Sequence, residues 1–158
     1  MKSCKLNTKT GRMFLRNCRY PVKLTRTGPN TVMAEFRDVP GAMTEAATEE
    51  AALYWAQDAL LVMLSGVMDQ RRPIPMPSRP KRGEKLVEVP PMQAMKLAIY
   101  QAMLETQVTQ AALGEKMGID ARQVRRILDL DHNTRLDHLT RALQCLGKRL
   151  TVEIADAA

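Results

Sequence analysis

The sequence predicts an α+β protein, a small antiparallel sheet carrying one helix followed by an all-helical unit that closes on a strand. Three observations predict it. Segments before residue 90 alternate apolar and polar residues with period two around one long amphipathic stretch. Segments after it repeat with helical period. Six of the nine prolines crowd between Pro73 and Pro91, where missing amide donors and fixed backbone angles stop a helix from running through. The division is therefore placed near Pro90, with a basic extension over 1–19, a first domain over 20–90 and a second over 91–158.

In the first domain, VKLT (Val22 to Thr25) and VMAEF (Val32 to Phe36) alternate, and Gly28-Pro29-Asn30 between them is turn material, so they read as a hairpin. Asp38-Val39-Pro40-Gly41 is a second turn, and the AMTE segment after it reads as a third strand. Thr48 caps the long helix, Glu49 and Glu50 complement its positive end, and Leu53, Ala56, Leu60, Leu64 and Val67 form the stripe that covers the sheet. Lys85 to Val89 alternates again and returns to the sheet, which makes the order β-β-β-α-β.

In the second domain, Met95, Ala98, Ile99 and Ala102 mark a first helix, while Leu136, Leu139, Leu143 and Leu146 mark the last. Between them TQAALGEKMGIDARQVRRIL, Thr109 to Leu128, has the helix-turn-helix pattern. Thr109 and Asp120 each cap a short helix, Gly114 permits close helix contact and Gly118 permits the turn. Leu113, Met117, Ile119, Val124 and Ile127 supply the core. With Val124 and Ile127 turned inward, Arg122, Gln123, Arg125 and Arg126 fall on the outer or flanking faces of the second helix. Arginine pairs with guanine edges and glutamine with adenine, and Gln110 at the start of the preceding helix is placed to reach a phosphate. The competing reading is a solvated face on a helical interaction domain; the agreement of caps, small residues and core positions favours DNA. The tail alternates Leu150, Val152 and Ile154 with Thr151 and Glu153. A lone strand leaves its hydrogen bonds unmade, so pairing with the same strand of a second copy is expected, folding back on the first domain being the alternative.

Charge is unevenly spread. Of the net +7, residues 1 to 19 carry six bases and no acid, Tyr20 to Gln70 three bases and seven acids, Arg71 to Lys85 six bases and one acid, and the rest nine of each. A uniformly basic surface is not encoded, so DNA contact has to come from a local cluster, and the acidic segment suggests a basic partner. The longest uncharged apolar run, Ala59 to Met68, falls short of the roughly 20 residues of a membrane span. No secretion signal is evident at the start, so a cytoplasmic protein that avoids membranes is expected. Cys4, Cys18 and Cys145 form no pairing pattern and read as reduced thiols.

Catalysis finds little support, and neither enzyme nor cofactor is expected. Glu35, Asp38 and Glu45 read as a solvated face, and His132 and His138 match no metal-ligand spacing. The glycines form no phosphate loop, and the eleven methionines read as core filler. Trp55 reads as packing within the long helix, with a half-exposed partner anchor as the other option.

RYPVKL, AEFRDVPGAMTEAATEEAALYWAQDAL and PIPMPS, in that order, resemble the HicB antitoxin family. LVEVPP, MKLAIYQAM, the Thr109 to Leu128 motif and GKRLTVEI resemble its helix-turn-helix branch, so the likeness runs from Tyr20 to about Ile154. It implies a first domain with a partial ribonuclease H fold lacking the catalytic residues, and a lambda-repressor-like second domain. It also implies that the first domain blocks HicA, a small basic RNA-cleaving toxin, while the second represses the operon promoter as a homodimer or higher homo-oligomer. Residues 1–19 have no counterpart there, and Glu45-Ala46-Ala47-Thr48 lacks the glycine often found before the helix. Two other classes compete: a one-component regulator sensing a small molecule, and an RNA-processing enzyme. The latter wants an acid on the first strand, and Tyr20 to Thr27 contains none.

Overall fold

The computed structural model describes residues 18–152. The first half contains β1 (Arg19–Gly28), β2 (Thr31–Phe36), β3 (Met43–Ala46), α1 (Glu49–Asp69) and β4 (Lys85–Glu88). The strands form one antiparallel sheet in the order β3-β2-β1-β4, with Val22 opposite Phe36, Leu24 opposite Ala34 and Tyr20 opposite Val87. These inward residues are apolar because α1 covers that face, and period-two alternation puts every second side chain there. Both edge strands, β3 and β4, are four residues long.

α1 begins as its sequence dictates, with the Thr48 hydroxyl accepting the Ala51 amide at 3.1 Å. Its buried stripe is Ala52, Ala56, Leu60, Leu64 and Val67. Ala52 holds the place expected of Leu53, which is only partly buried, since the small side chain lets the first turn approach the sheet. By length and composition alone α1 could cross a bilayer, an 18-residue window within it averaging a hydropathy of 1.3. Its inner stripe is instead seated on the sheet. Trp55 does not pack in the core: it is 53% exposed, and neighbouring Tyr54 is 74% exposed.

The connection from α1 to β4 is irregular but fixed at many points. The Tyr20 hydroxyl donates to the Pro75 carbonyl at 2.7 Å, and the Tyr100 hydroxyl donates to that of Arg72 at 2.9 Å. Asp38 accepts the Ser78 amide at 2.7 Å, and the Arg37 guanidinium bonds both Ser78 and Glu84. Cys18 is buried, its carbonyl accepts the Val89 amide at 2.8 Å, and Arg19 already belongs to β1 where it pairs with Glu88.

The second half comprises α2 (Pro91–Thr106), α3 (Gln110–Met117), α4 (Ala121–Leu128) and α5 (Leu136–Cys145). Pro91 opens α2 without loss, its missing amide being one that no helix start can satisfy internally. α2 packs against α4 and α5, and α3 against α4 and α5. Leu139, Leu143 and Leu146 are buried as expected, whereas Leu136 is 59% exposed at the start of α5. Residues 148–152 form no strand, Val152 is exposed, and Glu153 and Ile154 of the expected strand lie outside the described residues.

Candidate nucleic-acid interface

Two eight-residue helices, α3 and α4, are joined by Gly118-Ile119-Asp120. Their ends are set by local chemistry. The Thr109 hydroxyl accepts the Ala112 amide at 3.1 Å, and Gly118 closes α3 at φ +65°, a left-handed conformation that favours glycine. Asp120 accepts the Gln123 amide at 2.7 Å while the Gln123 side-chain oxygen accepts the Asp120 amide at 3.3 Å, a complete capping box. Gly114 permits the close approach of the turn: a Cβ there would stand 2.8 Å from the Ile119 carbonyl oxygen and 3.4 Å from Val124 Cγ2.

Val124, Ile127 and Leu128 anchor α4 in the core, and Arg122, Gln123, Arg125 and Arg126 are all exposed. None of the three arginines makes an ion pair among the described residues. α4 thus presents three uncompensated guanidinium groups within eight residues and no acid. Gln123 is partly committed, since its oxygen serves the capping box and only its amide nitrogen is left for a ligand. Gln110 is exposed at the first position of α3, where backbone amides have no partner within the helix.

The far end of α4 is held by a residue that patterning did not single out. Lys96 of α2 is fully buried, and its ammonium donates to the carbonyls of Arg126 at 3.4 Å, His132 at 2.5 Å and Asp129. The buried Thr134 hydroxyl adds a 3.4 Å bond to the Arg126 carbonyl. Burial pulls the Lys96 ammonium below the usual lysine range, while the charges of Asp129 and Asp131 oppose that shift. The available sequence signal was a lysine four residues after Met92 and three before Ile99, on an otherwise apolar face.

Residues 19–98 match a family model described as a HicB-like antitoxin of a bacterial toxin-antitoxin system. The chain belongs to the HicB-like antitoxin family. It is 38% identical over 135 residues to Antitoxin HicB 2 of Photorhabdus laumondii subsp. laumondii, covering 85% of this chain and 95% of that one. It is also 33% identical over 134 residues to Antitoxin HicB of Escherichia coli K12, covering 85% and 97%. Both alignments are longer than the span of the family model, so this HicB-like chain shares more with these relatives than its sheet-bearing half. Membership implies a toxin as partner within a toxin-antitoxin pair, and with it a regulatory role.

Proposed function

We propose that this chain neutralises a small RNA-cleaving toxin of the HicA kind and represses its own operon by binding operator DNA as a homo-oligomer, in the cytoplasm. In this reading the sheet-bearing half, a partial ribonuclease H-like fold, blocks the toxin, and the lambda-repressor-like helical half binds DNA. The observation that carries it is α4: a helix capped at its start, anchored by Val124 and Ile127, and free to present Arg122, Arg125 and Arg126 to a groove. Gln110 and the amides at the start of α3 suit a flanking phosphate. The tail from Lys148 to Ile154 would complete its hydrogen bonds with the same segment of a second copy, giving the symmetry of paired half-sites.

The test uses the full chain and DNA from upstream of its own gene. Expected are sequence-specific retardation that weakens steeply with salt, and growth rescue when the chain is co-expressed with the small basic protein encoded beside it. Retardation equal on unrelated DNA, or no rescue, would sink the corresponding half of the proposal. DNA release by a metabolite with no protein partner would favour a ligand-sensing regulator instead.

A further inference from the structure

We propose that the outer face of α1 is the docking surface for a small basic protein, with Tyr54, Trp55 and Val62 as its anchors. This inference rests on the antitoxin reading and deepens it by assigning the partner to one surface. While Ala52, Ala56, Leu60, Leu64 and Val67 face the sheet, Tyr54, Trp55, Asp58 and Val62 share the opposite side at helical spacing. Tyr54, Trp55 and Val62 are 74%, 53% and 62% exposed. The two rings meet edge to face, 5.2 Å between centroids at 83°, so they present a joint apolar knob. Beside it, Leu53, Tyr54, Gln57, Leu86, Val87 and Glu88 line a shallow cleft, and the Gln57 side chain donates to the Glu88 carbonyl at 2.8 Å.

Charge selects the occupant. α1 contains Glu49, Glu50, Asp58 and Asp69 and no basic residue, and Asp58 sits midway between Tyr54 and Val62 in the anchor row. An anionic bilayer or a nucleic acid approaching this face meets only like charge. A second copy seated symmetrically would set Asp58 against Asp58 with no base on either helix to answer it. A protein with an apolar pocket ringed by lysine or arginine satisfies both the knob and its acidic rim. Aromatic anchors are also the residues in which binding energy concentrates at interfaces.

The experiment is calorimetric titration of the full chain with the small basic protein encoded beside its gene. Tyr54→Ala and Trp55→Ala are each expected to weaken binding tenfold or more, at the level of interface hot spots. Asp58→Lys should weaken it and flatten its dependence on ionic strength. Thr25→Ala, on the sheet away from α1, serves as the control and should bind like the parent. Because all three α1 side chains are exposed, circular dichroism should show each variant folded. Parent binding with all three α1 variants equal to it would overturn this surface and leave the antitoxin reading standing. No binding by the parent would overturn both. Loss of a dimer in light scattering, or of vesicle binding, as the only effect of Trp55→Ala would give the face to a second copy or to a membrane and overturn the proposal.

Discussion

The ammonium of Lys96, in α2, donates a 2.5 Å hydrogen bond to the carbonyl oxygen of His132, in the loop that leads from α4 to α5. Its other two acceptors, Arg126 and Asp129, lie at the end of α4 itself. The carbonyls that end a helix carry the negative pole of its dipole and lack partners within it, so a cation there satisfies both the charge and the hydrogen bonds. One side chain thereby fixes the exit of the arginine-bearing helix to the helix behind it.

Lys96→Met keeps the side-chain length and removes the charge. The carbonyls left without a donor make the variant less stable by about 3 kcal/mol, with relief of the buried charge already offset. Urea unfolding measures the loss, and hydrogen exchange should localise it to residues 126–134. An unchanged midpoint would mean that the ammonium contributes nothing net.

Gly114→Ala places a Cβ 2.8 Å from the Ile119 carbonyl oxygen, a backbone atom that cannot rotate away. The helices must separate, at a cost of about 1–3 kcal/mol. Thermal melting is the measurement; a variant as stable as the parent would show that the turn yields freely.

Asp120→Ala removes the acceptor of the capping box and exposes the first turn of α4, a loss of about 1 kcal/mol. Asp120→Asn, which retains the acceptor, should recover most of it. Equal losses in the two variants would point to charge rather than capping as the cause.

Arg125→Ala touches nothing that holds the fold, so its stability should stay within about 0.5 kcal/mol of the parent. Operator affinity should fall about tenfold or more while toxin neutralisation is retained. If the loss is uniform across DNA sequences and the salt slope shrinks by about one, Arg125 contacts phosphate; if it falls on one base position, Arg125 reads a base. Full operator affinity would remove it from the interface.

Glu84 accepts the Lys81 amide at 2.7 Å and pairs with Arg37, and that backbone bond leads the causes holding its carboxyl below the usual glutamate value of 4.5. The folded state therefore favours the ionised form, and the resulting stabilisation is present above 4.5 and lost as pH falls through the depressed value. Amide protection over residues 78–84, corrected for the intrinsic exchange rate, should fall in that acid window, and Glu84→Gln should abolish that fall. A profile identical in the variant would assign the acid effect to another group.

The strands were legible because burial follows the pleat: every second residue of VMAEF faces α1, and the sequence shows that alternation directly. The helix-turn-helix was legible because caps and glycines act within a few residues of themselves, as Thr109, Asp120, Gly114 and Gly118 do. Lys96 was not, since lysine is almost never fully buried and its acceptors lie at least 30 residues away. Trp55 shows the reverse, its packing reading giving way to the partner-anchor option. Apolar side chains go inside by default, and only the seating of Ala52 and Ala56 on the sheet turns Tyr54 and Trp55 outward. Residues 148–152 alternate in the sequence yet form no strand within the chain, because alternation marks where a strand could form without supplying a partner for its hydrogen bonds.

The strand order β3-β2-β1-β4 has a further consequence for the protein in the absence of any partner. Sheet edges with unpaired amides and carbonyls are templates for fibril growth, and long flat ones are the hazard. Here β3 and β4 each have four residues, with Glu45 on one and Lys85 and Glu88 on the other, and the part of β1 beyond Val22 that β4 leaves uncovered carries Lys23 and Arg26. A strand arriving from a neighbouring molecule would find a short ladder bordered by charge. Charge along every open edge therefore works against the sheet seeding its own aggregation.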